Sequence, residues 1–186
     1  MALTSKQEIR SYVLQKRREL QPEEKKQMDE ALLFRLRPFF PAAGTPVYAY
    51  ISVRGEAGTE QLIDELLKRG CRVALPRVFG REMRFFYITD RSQLAAGAYG
   101  IPEPADGCPE ADAVEAMVIT PGVGFSGDGS RVGYGAGYYD RFFAAEPHHM
   151  AVGIGYDFQL FQAIEAEKHD KKMAYIVTPT QMLKVL

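Results

Sequence analysis

Apolar residues recur with two different periods along the chain, and the change between them separates a helical N-terminal arm from an alternating α/β body. Ile9, Tyr12, Val13, Lys16 and Leu20 follow helical spacing behind Ser5-Lys6-Gln7-Glu8, with the stem of Lys16 completing the apolar face. That tetrapeptide fits a capping box in which Ser5 and Glu8 satisfy the first free amides. A second helix is predicted from Pro22, a favoured first-turn residue, to just before Pro38, with Met28, Leu32 and Leu36 buried. From Val47 the period shortens. Residues 47–51 read as a buried strand, 60–68 as a helix ended by Gly70, and 72–75 as a strand closed by Pro76. Residues 83–88 form a further strand, antiparallel to its predecessor because no helix-length segment separates them. The Pro-rich stretch 101–109 is an ordered loop rather than a boundary. Strand 117–120, a glycine-rich loop, a short helix around 138–143 and strands at 150–155 and 175–178 follow. This alternation predicts an α/β fold: one domain over residues 1–186, a three-layer sandwich with a mostly parallel, Rossmann-like sheet.

Composition narrows the function classes. The 186 residues suit one core, packed by 11 Phe and 10 Tyr without any Trp. Acidic and basic residues nearly cancel at a net charge of −1, which gives no footprint for nucleic acid or a membrane surface. Cys71 sits in an apolar stretch that favours a buried thiol, and Cys108 lies in a Pro/Gly-rich loop. With three histidines in no ligand spacing, they make neither a disulfide framework nor a zinc site. The segment from Met1 to Lys6 lacks the apolar core of a signal peptide, and no apolar run approaches membrane-span length. A cytoplasmic monomer is the expectation.

The chemistry concentrates in Pro121-Gly122-Val123-Gly124-Phe125-Ser126-Gly127-Asp128-Gly129-Ser130-Arg131-Val132-Gly133-Tyr134-Gly135-Ala136-Gly137-Tyr138-Tyr139-Asp140-Arg141, which leaves a strand and enters a helix. In an open α/β sheet that junction lies at the carboxyl ends of the strands, where ligands bind. Gly133, Gly135 and Gly137 let backbone amides approach a ligand, the following helix start favours an anion, and the fork of Arg131 can hold two phosphate oxygens. The loop is neither a Walker A motif, lacking Gly-Lys-Ser/Thr, nor a dinucleotide fingerprint, whose glycine spacing differs. Ser126 does not sit in a Gly-x-Ser-x-Gly elbow, so a hydrolase reading is weaker still.

The run from Arg131 to Asp140, preceded by Pro121-Gly122-Val123-Gly124-Phe125, resembles the signature loop of the 5-formyltetrahydrofolate cyclo-ligase family, also called methenyltetrahydrofolate synthetase. Lys6 and Arg10, Glu56, Leu75-Pro76-Arg77, Tyr99-Gly100-Ile101-Pro102-Glu103-Pro104 and His169-Asp170 match further family segments in order. Many members carry an acidic residue four positions after the His-Asp aspartate, where this chain has Ala174. The resemblance implies an enzyme that uses ATP to cyclise 5-formyltetrahydrofolate to 5,10-methenyltetrahydrofolate. ATP would lie along Lys6, Arg10, Arg131, Val132, Gly133, Tyr134, Gly135, Ala136, Gly137, Tyr138 and Tyr139, with Arg131 compensating charge at the reacting end. Ile51, Glu56 and Tyr99 would line the folate pocket, and Asp140 and Asp170 would hold Mg²⁺.

From the residues alone, other readings stand beside these. Lys6 and Arg10 share one helical face, and a solvated basic surface extended by Lys16, Arg17 and Arg18 would look the same. Asp140 could pair with an arginine or begin a helix, Asp170 could cap a turn, and Ile51 and Tyr99 could be ordinary packing. The competing function is a phosphometabolite isomerase or transferase on a similar α/β fold, with a nucleic-acid binder behind it.

Overall fold

The computed structural model describes residues 4–165, 167 and 170–185; Met1, Ala2, Leu3 and His169 therefore lie outside the described residues. Helix α1 (Lys6–Glu19) begins where the capping pattern predicts. The Ser5 hydroxyl accepts from the Glu8 amide and donates to the Glu8 carboxylate. Its buried stripe is Ile9, Val13 and Arg17, whereas Tyr12 and Lys16 are exposed. The expected face is thus rotated toward an arginine. Helix α2 (Pro22–Leu36) buries Leu32, Leu33 and Leu36 and passes into a 3₁₀ turn, Arg37–Phe39.

The body opens with β1 (Pro46–Tyr48), α3 (Glu60–Lys68) and the hairpin β2 (Arg72–Phe79) and β3 (Glu82–Ile88). Gly70 ends the α3 region at φ +80°, a left-handed turn that glycine adopts without strain. Two short strands, β4 (Leu94–Ala96) and β5 (Pro102–Pro104), form a ribbon inside what the sequence reads as loop. Then come β6 (Met117–Pro121), β7 (Gly124–Ser126), β8 (Arg131–Val132), α4 (Tyr138–Ala145), β9 (Met150–Ile154), β10 (Leu160–Phe161), β11 (Tyr175–Val177) and β12 (Met182–Lys184).

Seven strands form one sheet in the order β12-β11-β9-β6-β1-β2-β3, parallel through the centre and antiparallel at both edges. The expected α/β architecture holds. Alternation across the pleat explains the layers. Val47, Val73, Ile119 and Val152 face one side with the apolar residues of α2 and α3. Tyr48, Ala74, Val118, Ala151 and Ile176 face the other with Phe142 and Phe143 of α4.

The edges depart from expectation. Strand β2 continues through Pro76, because β1 pairs only with residues 72–74 and leaves that side of β2 without a ladder for the proline to break. Strand β12 pairs antiparallel with β11 and extends the sheet by a strand that the sequence pattern does not reveal.

The glycine-rich loop is itself built around a hairpin: β7 pairs antiparallel with β8 and parallel with β10 in a separate small sheet. Phe125 anchors it with no exposed surface. A Cβ on Gly122 would meet its ring at 2.4 Å and one on Gly153 at 2.5 Å, so both glycines make room for this side chain. Phe125→Ala should therefore empty the junction between the two sheets and cost about 3–5 kcal/mol, read as a lowered urea midpoint at unchanged m-value.

Candidate active site

A cavity of about 510 Å³ opens beyond the carboxyl ends of β1 and β6, a size that suits a small-molecule site. One wall is the segment after β1, bearing Ile51, Arg54 and Glu56; another is the outer half of the β2–β3 hairpin, bearing Val78 and Met83. The glycine-rich loop closes a third side, and α1 contributes Lys6 and Arg10. Tyr99 and Glu103 come from the β4–β5 ribbon, and Asp170 from the chain ahead of β11. Two non-glycine residues with positive φ, Arg54 at +51° and Tyr99 at +57°, both border this cavity. Strained backbone of that kind persists where the surrounding structure holds a functional shape.

Nearly all the residues singled out in the sequence meet here. Arg10, 123 positions before Gly133 in sequence, donates from Nε to the Gly133 carbonyl at 2.8 Å. Arg10 therefore lies against the glycine loop, whereas Lys16 and Arg18 remain exposed. Lys6 Nζ contacts Asp170 at 2.8 Å and Glu167 at 2.9 Å. Burial lowers the Lys6 pKa, but hydrogen bonds to Asp170 and Glu167 outweigh it and hold the ammonium above its ordinary value. Gly135 and Gly137 take φ of +105° and +69°, and α4 starts at Gly137 with no side-chain cap, leaving its first amides unclaimed by side chains. At the rim, the Tyr138 hydroxyl lies 3.0 Å from that of Tyr99 and donates to the Gly80 carbonyl.

Val132 is the exception among the cradle residues. Its side chain is fully buried with Ile9, Val13 and Val123, because its register opposite Gly124 in β8 turns it into the core under α1. Arg131 is also committed to the protein. It is 8% exposed, with Nη2 on Asp140 at 2.7 Å and Nη1 on the Pro121 carbonyl at 3.3 Å; its Nε is buried without a partner among the described residues. The expected two-oxygen grip on phosphate is not preformed.

Glu56 is buried and accepts from the Val53 amide at 2.9 Å. Burial raises its pKa above the ordinary carboxylate value, against the opposing pull of the Val53 amide, the Tyr134 hydroxyl and the charges of Arg17 and Arg54. Arg17, which as part of the basic run with Lys16 and Arg18 reads as a solvated cation, is 7% exposed beneath this wall. Its guanidinium donates to the Gly122 carbonyl at 2.9 Å and to the Tyr134 hydroxyl. The only hint in the sequence is its helical spacing from Ile9 and Val13. The Tyr139 hydroxyl, likewise buried, has no hydrogen-bond partner among the described residues.

Asp140 and Asp170 both face the cavity, each paired with a cation. No group of three or more His, Cys, Asp or Glu is arranged to hold a metal among the described residues. Two hard carboxylate donors without a closed cage fit a Mg²⁺ that keeps waters and shares phosphate oxygens. Ala174 does not border the cavity; its backbone pairs with Ala151 and Val185 as an extension of β11.

The raised pKa of Glu56 has a defined consequence for stability. The folded state binds the proton more tightly than the unfolded chain, so this group contributes most below the unfolded pKa and its contribution is lost as pH rises through the folded value. Glu56→Gln should therefore raise Tm at pH 7, by about 2–4 °C for each kcal/mol released, and the gain should vanish below pH ~4, as followed by circular dichroism.

Comparison with known proteins identifies the family. The model of the 5-formyltetrahydrofolate cyclo-ligase family matches residues 2–179. The 5-formyltetrahydrofolate cyclo-ligase of Mycolicibacterium smegmatis is 31% identical across the whole of both chains, and that of Escherichia coli K12 is 29% identical over 91% of this chain and 98% of its own. Among solved structures, the 5,10-methenyltetrahydrofolate synthetase of Aquifex aeolicus superposes with a TM-score of 0.84 at 30% identity, covering 97% of this chain and 92% of that one. Matched along nearly its full length in sequence and in fold, the chain belongs to the 5-formyltetrahydrofolate cyclo-ligase family.

Proposed function

We infer that the cavity is the active site of an ATP-dependent 5-formyltetrahydrofolate cyclo-ligase. The observation that carries this reading is the convergence of Lys6, Arg10 and the glycine-rich loop at one end of a cavity whose wall carries a buried carboxylate, Glu56. Cations and unclaimed amides suit a triphosphate. A carboxylate in an apolar wall suits the adjacent nitrogen donors of a pterin. The site draws on both Lys6 and Asp170, so the chain works as one domain.

A formamide is a poor electrophile, and its oxygen is a poor leaving group. Transfer of the γ-phosphoryl group of ATP to the formyl oxygen, releasing ADP, removes both difficulties. The nitrogen at position 10 then attacks the formyl carbon, loses its proton, and phosphate leaves with the former formyl oxygen as the ring closes. No protein nucleophile is needed; the residues position two substrates and offset charge. Lys6, Arg10 and Arg131 hold the phosphates, Arg131 nearest the transferred group and released from Asp140 as it does so. Backbone amides of residues 132–139 complete the cradle, and Ile51 and Tyr99 flank the pterin held by Glu56. Asp140 and Asp170 would hold Mg²⁺, which neutralises phosphate charge when bound. No helix among the described residues is long and apolar enough to cross a membrane, and the substrates we assign are small molecules.

The direct assay is formation of methenyl absorbance from 5-formyltetrahydrofolate, ATP and Mg²⁺, with each omitted in turn. Product made without ATP would refute the reading. Lys6→Ala and Arg10→Ala should each raise the KM for ATP about 10- to 100-fold, as loss of a charge-assisted contact implies, with a smaller effect on the KM for folate. Asp140→Asn and Asp170→Asn should move the half-maximal Mg²⁺ concentration upward. Titration curves coincident with wild type in both variants would remove them from the metal.

A further inference from the structure

We propose that Arg17 is a positioning residue that joins the Glu56 wall of the cavity to the glycine-rich loop, so that binding at either end favours binding at the other. This rests on the assignment of Glu56 to the folate and of the loop to the nucleotide.

The stem of Arg17 supports one partner and its head the other. A Cβ on Gly55 would lie 3.1 Å from the Arg17 Cβ, so the left-handed turn that presents Glu56, with Gly55 at φ +74°, packs directly on this side chain. The guanidinium reaches past that turn to the Gly122 carbonyl at 2.9 Å, which also accepts from Gln159 Nε2 at 2.9 Å. It also donates to the Tyr134 hydroxyl and lies 5.9 Å from the centre of that ring. Tyr134, between Gly133 and Gly135 in the cradle, is near enough for its hydroxyl to favour the ionised form of Glu56. One buried fork therefore fixes the loop against a residue whose charge it supports. A lysine could supply the charge but not the two fixed bonds.

Burial opposes ionisation of Glu56, and the Val53 amide, Tyr134, Arg17 and Arg54 counter it in that order. Tyr50, Tyr134, Tyr139 and Tyr156 all act on it, and burial raises each phenol above its ordinary value, so they stay neutral through the working pH range. Arg54 is on the same turn as Glu56 and is exposed. Arg17 is the buried cation that adds its charge to the Val53 amide in favouring the ionised carboxylate. A pterin engaging Glu56 favours the ionised carboxylate and with it the Arg17 position beneath the Gly55 turn; that position, through Tyr134 and the Gly122 carbonyl, holds the loop in the form that receives phosphates. Thermodynamic linkage makes the effect reciprocal.

Calorimetry can measure the dissociation constant of 5-formyltetrahydrofolate with and without adenylyl imidodiphosphate and Mg²⁺, across pH 5–9. The variants are Arg17→Met, Arg17→Lys, Tyr134→Phe and Glu56→Gln. In the wild-type protein the nucleotide analogue should tighten folate binding by a factor in the range of about 5–150 expected for coupled sites. Arg17→Met and Tyr134→Phe should bring that factor to about 1, as uncoupled sites require. Arg17→Met should also move the loss of folate affinity at low pH to higher pH. Arg17→Lys should restore the wild-type pH profile without restoring the coupling, a separation that a purely structural role would not give. If Arg17→Met does not fold, Tyr134→Phe and Arg17→Lys still decide the matter. No coupling in the wild type, or wild-type coupling in Tyr134→Phe and Arg17→Lys, would overturn the proposal. If Glu56→Gln meanwhile weakens folate binding, the folate assignment survives that failure. Wild-type folate affinity in Glu56→Gln would remove the assignment itself, and the proposal with it.

Discussion

Ile9 and Val13 of α1 are wholly buried against Val123, Val132 and Ile164, and a Cβ on Gly124 would meet Ile9 Cγ2 at 2.7 Å. The helix is thus seated on the hairpin of the glycine-rich loop with no space between them. Burial of two such side chains contributes about 1.5–3 kcal/mol each. The same contact puts Arg10 on the Gly133 carbonyl and Arg17 on the Gly122 carbonyl. Without it the loop would retain Arg131 but lose the cations contributed by α1. The amphipathic stripe of the first helix therefore brings positive charge to a loop more than 100 residues away.

The charges around the cavity are satisfied before any substrate arrives. Arg131 holds Asp140, Lys6 holds Asp170, and the charge of Arg17 acts on Glu56. In a partly dry cavity an unpaired ion would cost several kcal/mol, so the resting site must carry its own counter-charges. On the proposed reading, a phosphate chain entering here would compete with Asp140 and Asp170 for their cations and leave those carboxylates facing whatever cation it brings. Binding would then exchange partners within a balanced set, in keeping with a fork of Arg131 that is engaged with protein groups at rest.

Strand and helix positions were legible where burial is periodic. The span Glu60–Lys68 and the left-handed Gly70 follow from an apolar stripe and a glycine at its end. The central strands follow from short apolar runs buried on both faces. The edges were not legible. Strand β2 passes through Pro76 only because its neighbour stops short, and β12 exists only because β11 presents a free edge; neither condition is encoded next to the residues concerned.

The site divides along the same line. The sequence determined the cradle, since alternating glycines, Arg131 and the Tyr-Tyr-Asp run lie consecutively in the chain and their chemistry needs little beyond backbone freedom. It also marked Lys6, Arg10 and Glu56 through the family resemblance, and the fold brings them to one cavity. Tertiary structure alone decided that Val132 points into the core, that Arg131 rests on Asp140, and that Arg17 is a buried strut rather than one more cation on a solvated face. Helical periodicity reports which residues share a side of α1. Whether that side meets water or another part of the chain depends on the angle at which the helix docks, and packing against residues 123–132 sets that angle.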